Sequence, residues 1–382
     1  MRWGITAFLI ACQVSLGAAP LPSDSMALRD RAARHSNVGQ ASAARGDFDT
    51  ASRQYRVELG LLQQISVSQP ERLDLQRELA LCHSRLGDAL LALGRRGAAL
   101  LQHRADLEVS RRLAESEPAD ARAQRDLSVS LIKVADIVLS QGDAPAALDH
   151  YREALAIRQQ LLRAAPADVE RLYDLSAGHL RIGEAWATLG DSGAALRSFE
   201  RALALRERLI ANEPEQPRWQ RALSVSHNRL GDALMALDDS VGALANYEAD
   251  LALTRARAAA DPRELGLQRE LALSHARVGA ARLALDDPAA GARHLRAVAE
   301  IRQRLALAQP RDARAQLDWA VANWQLTTLP PAVADRQTRR SALRQGLSTL
   351  QQLRAAGRLP ASAMEWPMRF EAALKALVPR GE

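Results

Sequence analysis

The chain has 382 residues, 47% of them apolar but only 4% aromatic, so its core must be filled by Leu and Ala, which are also strong helix formers. Net charge is +6, from 51 basic against 45 acidic residues, and Lys133 and Lys375 are the only lysines. The arginines are dispersed and interleaved with acids, with no aromatic platform beside them, which excludes the basic-patch pattern of a nucleic-acid binder; modest Pro and Gly without low-complexity tracts exclude global disorder.

The first element in chain order is a leader. Arg2 gives a short positive start, Trp3 to Gly17 is almost uncharged and mostly apolar, and Gly17, Ala18 and Ala19 precede Pro20. That order fits a secretory signal peptide over 1–19, and so a periplasmic or secreted protein. Two other readings stay open. Leu9-Ile10-Ala11-Cys12 has the form of a bacterial lipoprotein box, although the apolar run before Cys12 is very short for a lipid anchor; and an uncleaved apolar tail would leave the chain cytoplasmic. No other segment reaches the length of about 20 apolar residues that a transmembrane span needs. If Cys12 is removed, Cys82 is the one remaining thiol, so neither an internal disulfide nor a Cys-based zinc site is expected.

From residue 24 onward the sequence repeats. Pro70, Pro118, Pro166, Pro214, Pro262 and Pro310 are spaced 48 residues apart. Leu79, Leu127, Leu175, Leu223 and Leu271 keep the same step, and so do Gly39, Gly87, Gly183, Gly231 and Gly279, with Ala135 in the gap. An aromatic column runs through Tyr55, Tyr151, Phe199 and Tyr247, with His103 in the second unit. Within a unit the period becomes helical: Leu175, His179, Ile182, Trp186 and Leu189 step by four and three along one amphipathic face. Gly-Asp or Asp-Asp pairs at 46–47, 142–143, 190–191, 238–239 and 286–287 then supply a left-handed helix end and a cap for the next start. A second helix follows, and the Pro-containing link stops it. Each unit is therefore two helices of about 20 residues, neither of which can bury its stripe without stacked neighbours.

Six such units are expected over 24–309, and a degenerate seventh over 311–357, interrupted by Pro330-Pro331 and made bulky by Trp319 and Trp324. A last amphipathic segment over 361–378 is expected to cap the open end.

The order HLRIGEAW, then GDSGAALRSFERALAL, resembles the tetratricopeptide repeat: Gly183, Trp186, Ala195, Phe199 and Ala202 fall at the spacings with which that family packs its two helices. The 48-residue period, against 34 in the family, and the late Pro214 mark a long-period variant similar to bacterial ones. The resemblance covers residues 24 to 357. It implies an all-α, right-handed superhelical solenoid of antiparallel helix pairs, about six to seven repeats long, serving as a protein-interaction scaffold.

His35, His83, His179, His227 and His275 form a further column. A metal ladder would need several ring nitrogens within about 2.1 Å of one ion, whereas successive repeats are at least one helix-packing distance of about 8–10 Å apart; the column is read as packing. In another column Arg85, Lys133, Arg181 and Arg229 each stand three residues before Asp88, Asp136, Glu184 and Asp232, with Arg277 continuing the basic row, so local i, i+3 ion pairs are expected. In the family the acidic column faces the concave groove. Ser84, Ile132, Leu180 and Asn228 vary in type one turn earlier, as residues reading a partner would. The candidate groove residues are thus Ser84, Asp88, Ile132, Asp136, Leu180, Glu184, Asn228 and Asp232.

No glycine-rich phosphate loop, HExxH or GxSxG occurs, and His103-Arg104-Ala105-Asp106 lies within a helix without the neighbours a kinase loop requires. The expectation is a scaffold with no catalytic residues, cofactor or metal, holding a protein or peptide partner in its groove. The alternative is an assembly subunit of an envelope complex acting through the ends of the stack.

Overall fold

The computed structural model describes residues 23–377, so the leader, Cys12 and the last residues of the expected cap lie outside the described residues. Fourteen helices run in chain order before the C-terminal element: α1 (Ser23–Ala44), α2 (Phe48–Ser68), α3 (Leu73–Ala92), α4 (Arg96–Ser116), α5 (Ala121–Ser140), α6 (Ala144–Ala164), α7 (Val169–Thr188), α8 (Ser192–Asn212), α9 (Pro217–Met235), α10 (Ser240–Ala260), α11 (Leu265–Ala284), α12 (Pro288–Ala308), α13 (Ala313–Thr327) and α14 (Arg336–Ala355). A 3-10 turn over Ala361–Ala363 leads into α15 (Trp366–Ala376). There is no strand among the described residues. The architecture is an all-α array of helix pairs, and within each unit successive helices pack on one another. It forms two compact units, one up to Ile157 and one from Arg158 onward, with the boundary inside α6.

The helix ends follow from the residues placed there. Gly46, Gly94, Gly142 and Gly190 have φ of 79°, 73°, 93° and 81°, and the equivalent Asp238 and Asp286 adopt the same left-handed region at 61° and 57°. At the first of these turns Gly46 N donates to Ala43 O and Asp47 N to Ser42 O, satisfying the last carbonyls of α1. Asp47, Asp143, Asp191, Asp239 and Asp287 then accept from the backbone N–H three residues on, at 2.8–3.1 Å, and cap the second helices. At the second turn Arg95 occupies the cap position and makes no such bond. Between pairs, Gln124 and Gln316 reach back to the carbonyls of Ala114 and Ala306, which their own helices leave unpaired.

Core clusters join each pair to the next first helix within the second unit. In the fourth pair Leu180, Ala195, Phe199 and Ala202 pack with Leu230 and Ala233 of the next first helix; in the fifth, Ala243, Leu244, Tyr247 and Leu251 pack with Val278 and Ala281. The glycine column sets how closely the two helices of a pair approach. A Cβ on Gly231 would stand 2.5 Å from the Tyr247 ring, and one on Gly39 would stand 2.6 Å from Tyr55. Past α13 the pattern changes. Leu343, Leu350 and Leu353 of α14 meet Phe370 of α15, and Trp324 stacks at 5.0 Å from Phe370 and 5.9 Å from Trp366. The bulk at Trp324 is thus covered by α15.

Candidate functional site

The first helix of each pair carries both singled-out columns. The histidines are tied to the second helix of their own pair. His35 Nδ1 bonds Gln54 Oε1 at 2.6 Å, His83 bonds Gln102 at 2.9 Å, His227 bonds Asn246 at 3.0 Å, and His275 bonds His294 at 3.0 Å, each across 19 residues. His179 has Ser198 at the matching position and is buried. Burial pushes His179 and His275 down to about 4. A second-helix column of amide side chains thus partners the histidines, a pairing visible in the sequence only after the two helices are set side by side.

The charged column departs from the local pairing expected of it. Arg181 does pair with Glu184 at 2.9 Å, and Arg229 stands 3.7 Å from Asp232. The shorter contact of Arg229, however, is to Glu184 of the preceding pair, at 3.0 Å. Lys133 reaches back 45 residues to Asp88 at 2.7 Å, and Arg277 reaches Asp232 at 3.2 Å. Lys133 and Arg85 also donate to Ser84 and Ser36 of the preceding pair, both at 2.8 Å. The reason is geometric: a long basic side chain on one first helix spans to its stacked neighbour, where the acceptors of two positions converge. The column joins pairs to each other as well as stiffening single helices.

The acids have a further tie that the sequence reading missed. Tyr151 Oη donates to Asp136 at 2.6 Å and Tyr247 Oη to Asp232 at 2.8 Å, while His103 Nε2 stands 3.6 Å from Asp88. The aromatic ring fills the space above the glycine column and its polar tip meets the acid one residue on, so Gly-Asp is a packing motif as well as a surface one. A signal was present: Tyr accompanies Asp at 151 and 247, and Phe199 accompanies Glu184.

The eight candidate residues are therefore not equivalent. Asp88 is exposed; Asp136, Glu184, Asp232 and Ile132 are half-buried. Leu180 packs into the core beside Phe199, and Ser84 is buried beneath Lys133. Asn228 is half-buried, and its Oδ1 has no hydrogen-bond partner among the described residues. Recesses open between neighbouring first helices within each compact unit. One is lined by Ser36, Glu58 and Arg85, one by Ser84, Asp106 and Lys133, and one by Asn228, Asp250 and Arg277, with volumes of about 360, 240 and 190 Å³. Among the described residues no group of three His, Cys, Asp or Glu side chains is arranged to hold a metal ion, and no helix is long and apolar enough to cross a membrane.

Helix pairs that recur at a 48-residue step, four of them clasped by a glycine against the ring of Tyr55, His103, Phe199 or Tyr247, form a helix-pair repeat array consistent with a tetratricopeptide repeat protein. No family model and no curated protein matches the sequence. Among solved structures, the apo form of RapI is similar at 11% identity with a TM-score of 0.56, over 92% of this chain and 82% of that one. The C-terminal part of a TPR repeat-containing protein from Cytophaga hutchinsonii shares 14% identity over 79% of this chain and 93% of that one, with a TM-score of 0.47. BtubC from P. vanneervenii shares 18% identity over 76% of this chain and 95% of that one, with a TM-score of 0.43. The likeness is one of fold.

Proposed function

We propose that the protein is an interaction scaffold whose first-helix face binds a segment of a partner protein, with Asp88, Ile132, Asp136, Glu184, Asn228 and Asp232 at its surface and Ser84 and Leu180 shaping the floor. The observation that carries this is the polar recesses between neighbouring first helices within each compact unit, one of which includes Asn228 with a carbonyl oxygen that has no partner among the described residues. Buried polar groups are normally paired, so acceptors left open in such recesses are suited to donors from outside. The leader over residues 1–19 supports an extracytoplasmic setting; a reporter fused after Ala19 and active only in the cytoplasm would remove it.

Site-specific photocrosslinking tests the binding face. A photoreactive side chain at Asp88, Ile132 or Asn228 is expected to trap a discrete partner adduct in cells. The same group at the exposed Leu101 or Leu307, on second helices, is expected to trap none. Equal adducts at both sets, or none at the first, would assign binding elsewhere.

A further inference from the structure

The second helices carry a buried polar pattern that alternates by unit. At the 48-residue step, positions 58, 106, 154, 202, 250 and 298 read Glu, Asp, Ala, Ala, Asp, Val. Four residues on, positions 62, 110, 158, 206, 254 and 302 read Leu, Ser, Arg, Arg, Thr, Arg. The two never coincide: a unit has either the carboxylate or the arginine.

Where the arginine is present it lies across the floor of its own pair and reaches the next first helix. Arg206, only 3% exposed, donates to Ala222 O at 2.6 Å, Ser226 Oγ at 2.9 Å and Ser176 Oγ at 3.2 Å. Arg158 donates to Asp174 O and Arg302 to Asp318 O, again 16 residues ahead. The three groups that hold Arg206 are all uncharged, and burial pushes its guanidinium down to about 10. The space therefore accommodates a guanidinium between two hydroxyls and a helix carbonyl.

In the Asp106 and Asp250 units, where the arginine is missing, the same space is a recess; in the Glu58 unit the buried Leu62 takes the arginine's position and lines the recess with Ala32. The counterparts of Ser176, Arg206 and Ser226 are Ser224, Thr254 and Ser274, and all three line the recess at Asp250; Ala80, Ser110 and Ser130 line the one at Asp106. The carboxylates there are deeply buried: Asp250 is 0%, Asp106 3% and Glu58 6% exposed. Asp250 Oδ1 accepts from Ser224 and Thr254, but Oδ2 has no partner among the described residues, and neither has Glu58 Oε2. Burial raises the pKa of Glu58 and Asp106. The cations lining the recesses make their short contacts with other groups: around Asp250, Arg277 pairs with Asp232, Arg229 with Glu184 and Arg221 with Glu270, while Lys133 binds Asp88 and Ser84 and Arg85 binds Ser36, both close enough to draw the Asp106 and Glu58 carboxyls partly back down. A buried carboxylate beside hydroxyls, as at Asp106 and Asp250, suits a cation bearing several N–H donors.

We propose that the recesses floored by Asp106 and Asp250 are sockets for arginine side chains of a bound protein segment, occupying the space that Arg158, Arg206 and Arg302 of the chain itself fill in the other units. This rests on the scaffold reading and adds the chemistry of the partner: a segment presenting arginine to the first-helix face. A buried carboxylate left without a cation is a standing penalty, so the incoming guanidinium gains more here than on an open surface.

The test is to pan the full chain against a random dodecapeptide display library and measure selected peptides by fluorescence polarisation. Enrichment of arginine is expected, and replacing that arginine by citrulline should weaken binding at least tenfold. The paired substitutions Asp250→Ala with Thr254→Arg, and Asp106→Ala with Ser110→Arg, recreate the filled arrangement of the Ala202 and Arg206 unit. They should keep the wild-type melting behaviour and also lose binding at least tenfold. Peptides selected without arginine enrichment, unchanged affinity of the citrulline peptide, or unchanged affinity of the filled-socket variants would overturn the socket assignment and leave the scaffold standing. Selection of no peptide at all would overturn both.

Discussion

At the scale of single residues, the histidine column shows how a site-like pattern becomes a packing device with a measurable pH consequence. His179 is buried beside Phe199's helix, and burial first, then Arg201, holds its pKa at about 4. In the unfolded chain the ordinary value is about 6.5. Between these values the unfolded chain binds more protons than the folded one, so stability is full above about pH 6.5, falls as pH drops through the window, and levels off below about 4. His179→Gln removes that term while keeping a polar side chain. Urea titrations at pH 6.5 and 5 should show the wild type losing more stability than the variant, by on the order of 1 kcal/mol. The raised carboxyls Glu58 and Asp106 act with the opposite sign, but they are present in both proteins and cancel in the difference. Parallel pH profiles would mean that His179 is protonated equally in both states.

At the scale of helices, the six turns between partners of a pair form an internal mutational series. Four use glycine in the left-handed region; Asp238 and Asp286 use a residue that tolerates it less well. Five have an aspartate cap, and Arg95 does not. Arg95→Asp should therefore gain about 1 kcal/mol from a cap to the N–H of residue 98, and Asp238→Gly should gain up to about 1 kcal/mol from relief at φ 61°. Arg95 also stands 3.8 Å from Asp49, an exposed and weak pair, so its loss should not offset the cap. Thermal melts check both; a lower midpoint for Arg95→Asp would show that Arg95 does more than occupy the turn. These turns were legible in the sequence because glycine, aspartate and proline act locally. The ion pairs were only half legible. Arg181 with Glu184 follows from i, i+3 spacing, whereas Lys133 with Asp88 depends on which side chains meet once pairs are stacked, and no spacing within one helix reveals it. The buried carboxylates were hidden for a different reason: Asp106 and Asp250 interrupt a stripe of Leu and Ala, and a periodicity reading treats the stripe as apolar throughout.

At the scale of the whole chain, a repeat array is held together by contacts between nearest neighbours, so damage at an end should stay near that end. The last pair departs from the 48-residue pattern, and its exposed side is closed by α15. Phe370 is fully buried against Leu343, Leu350 and Gly346, and Trp366 and Trp324 complete the cluster. Truncation after Gly357 removes Phe370 and uncovers these leucines. The loss of one such aromatic from a packed site costs about 3–5 kcal/mol, more than a terminal repeat of this size holds in reserve. Amide exchange in α13 and α14 should then rise towards that of unprotected chain, tryptophan emission should shift to the red as Trp324 meets water, and a dye that reports exposed apolar surface should bind. Protection in α1 to α4 should be unchanged, because the lost segment packs on α14 and on Trp324 of α13. Exchange rising in α1 to α4 together with α13 and α14 would show instead that the array unfolds as one cooperative body, and that the degenerate end carries the stability of every pair before it.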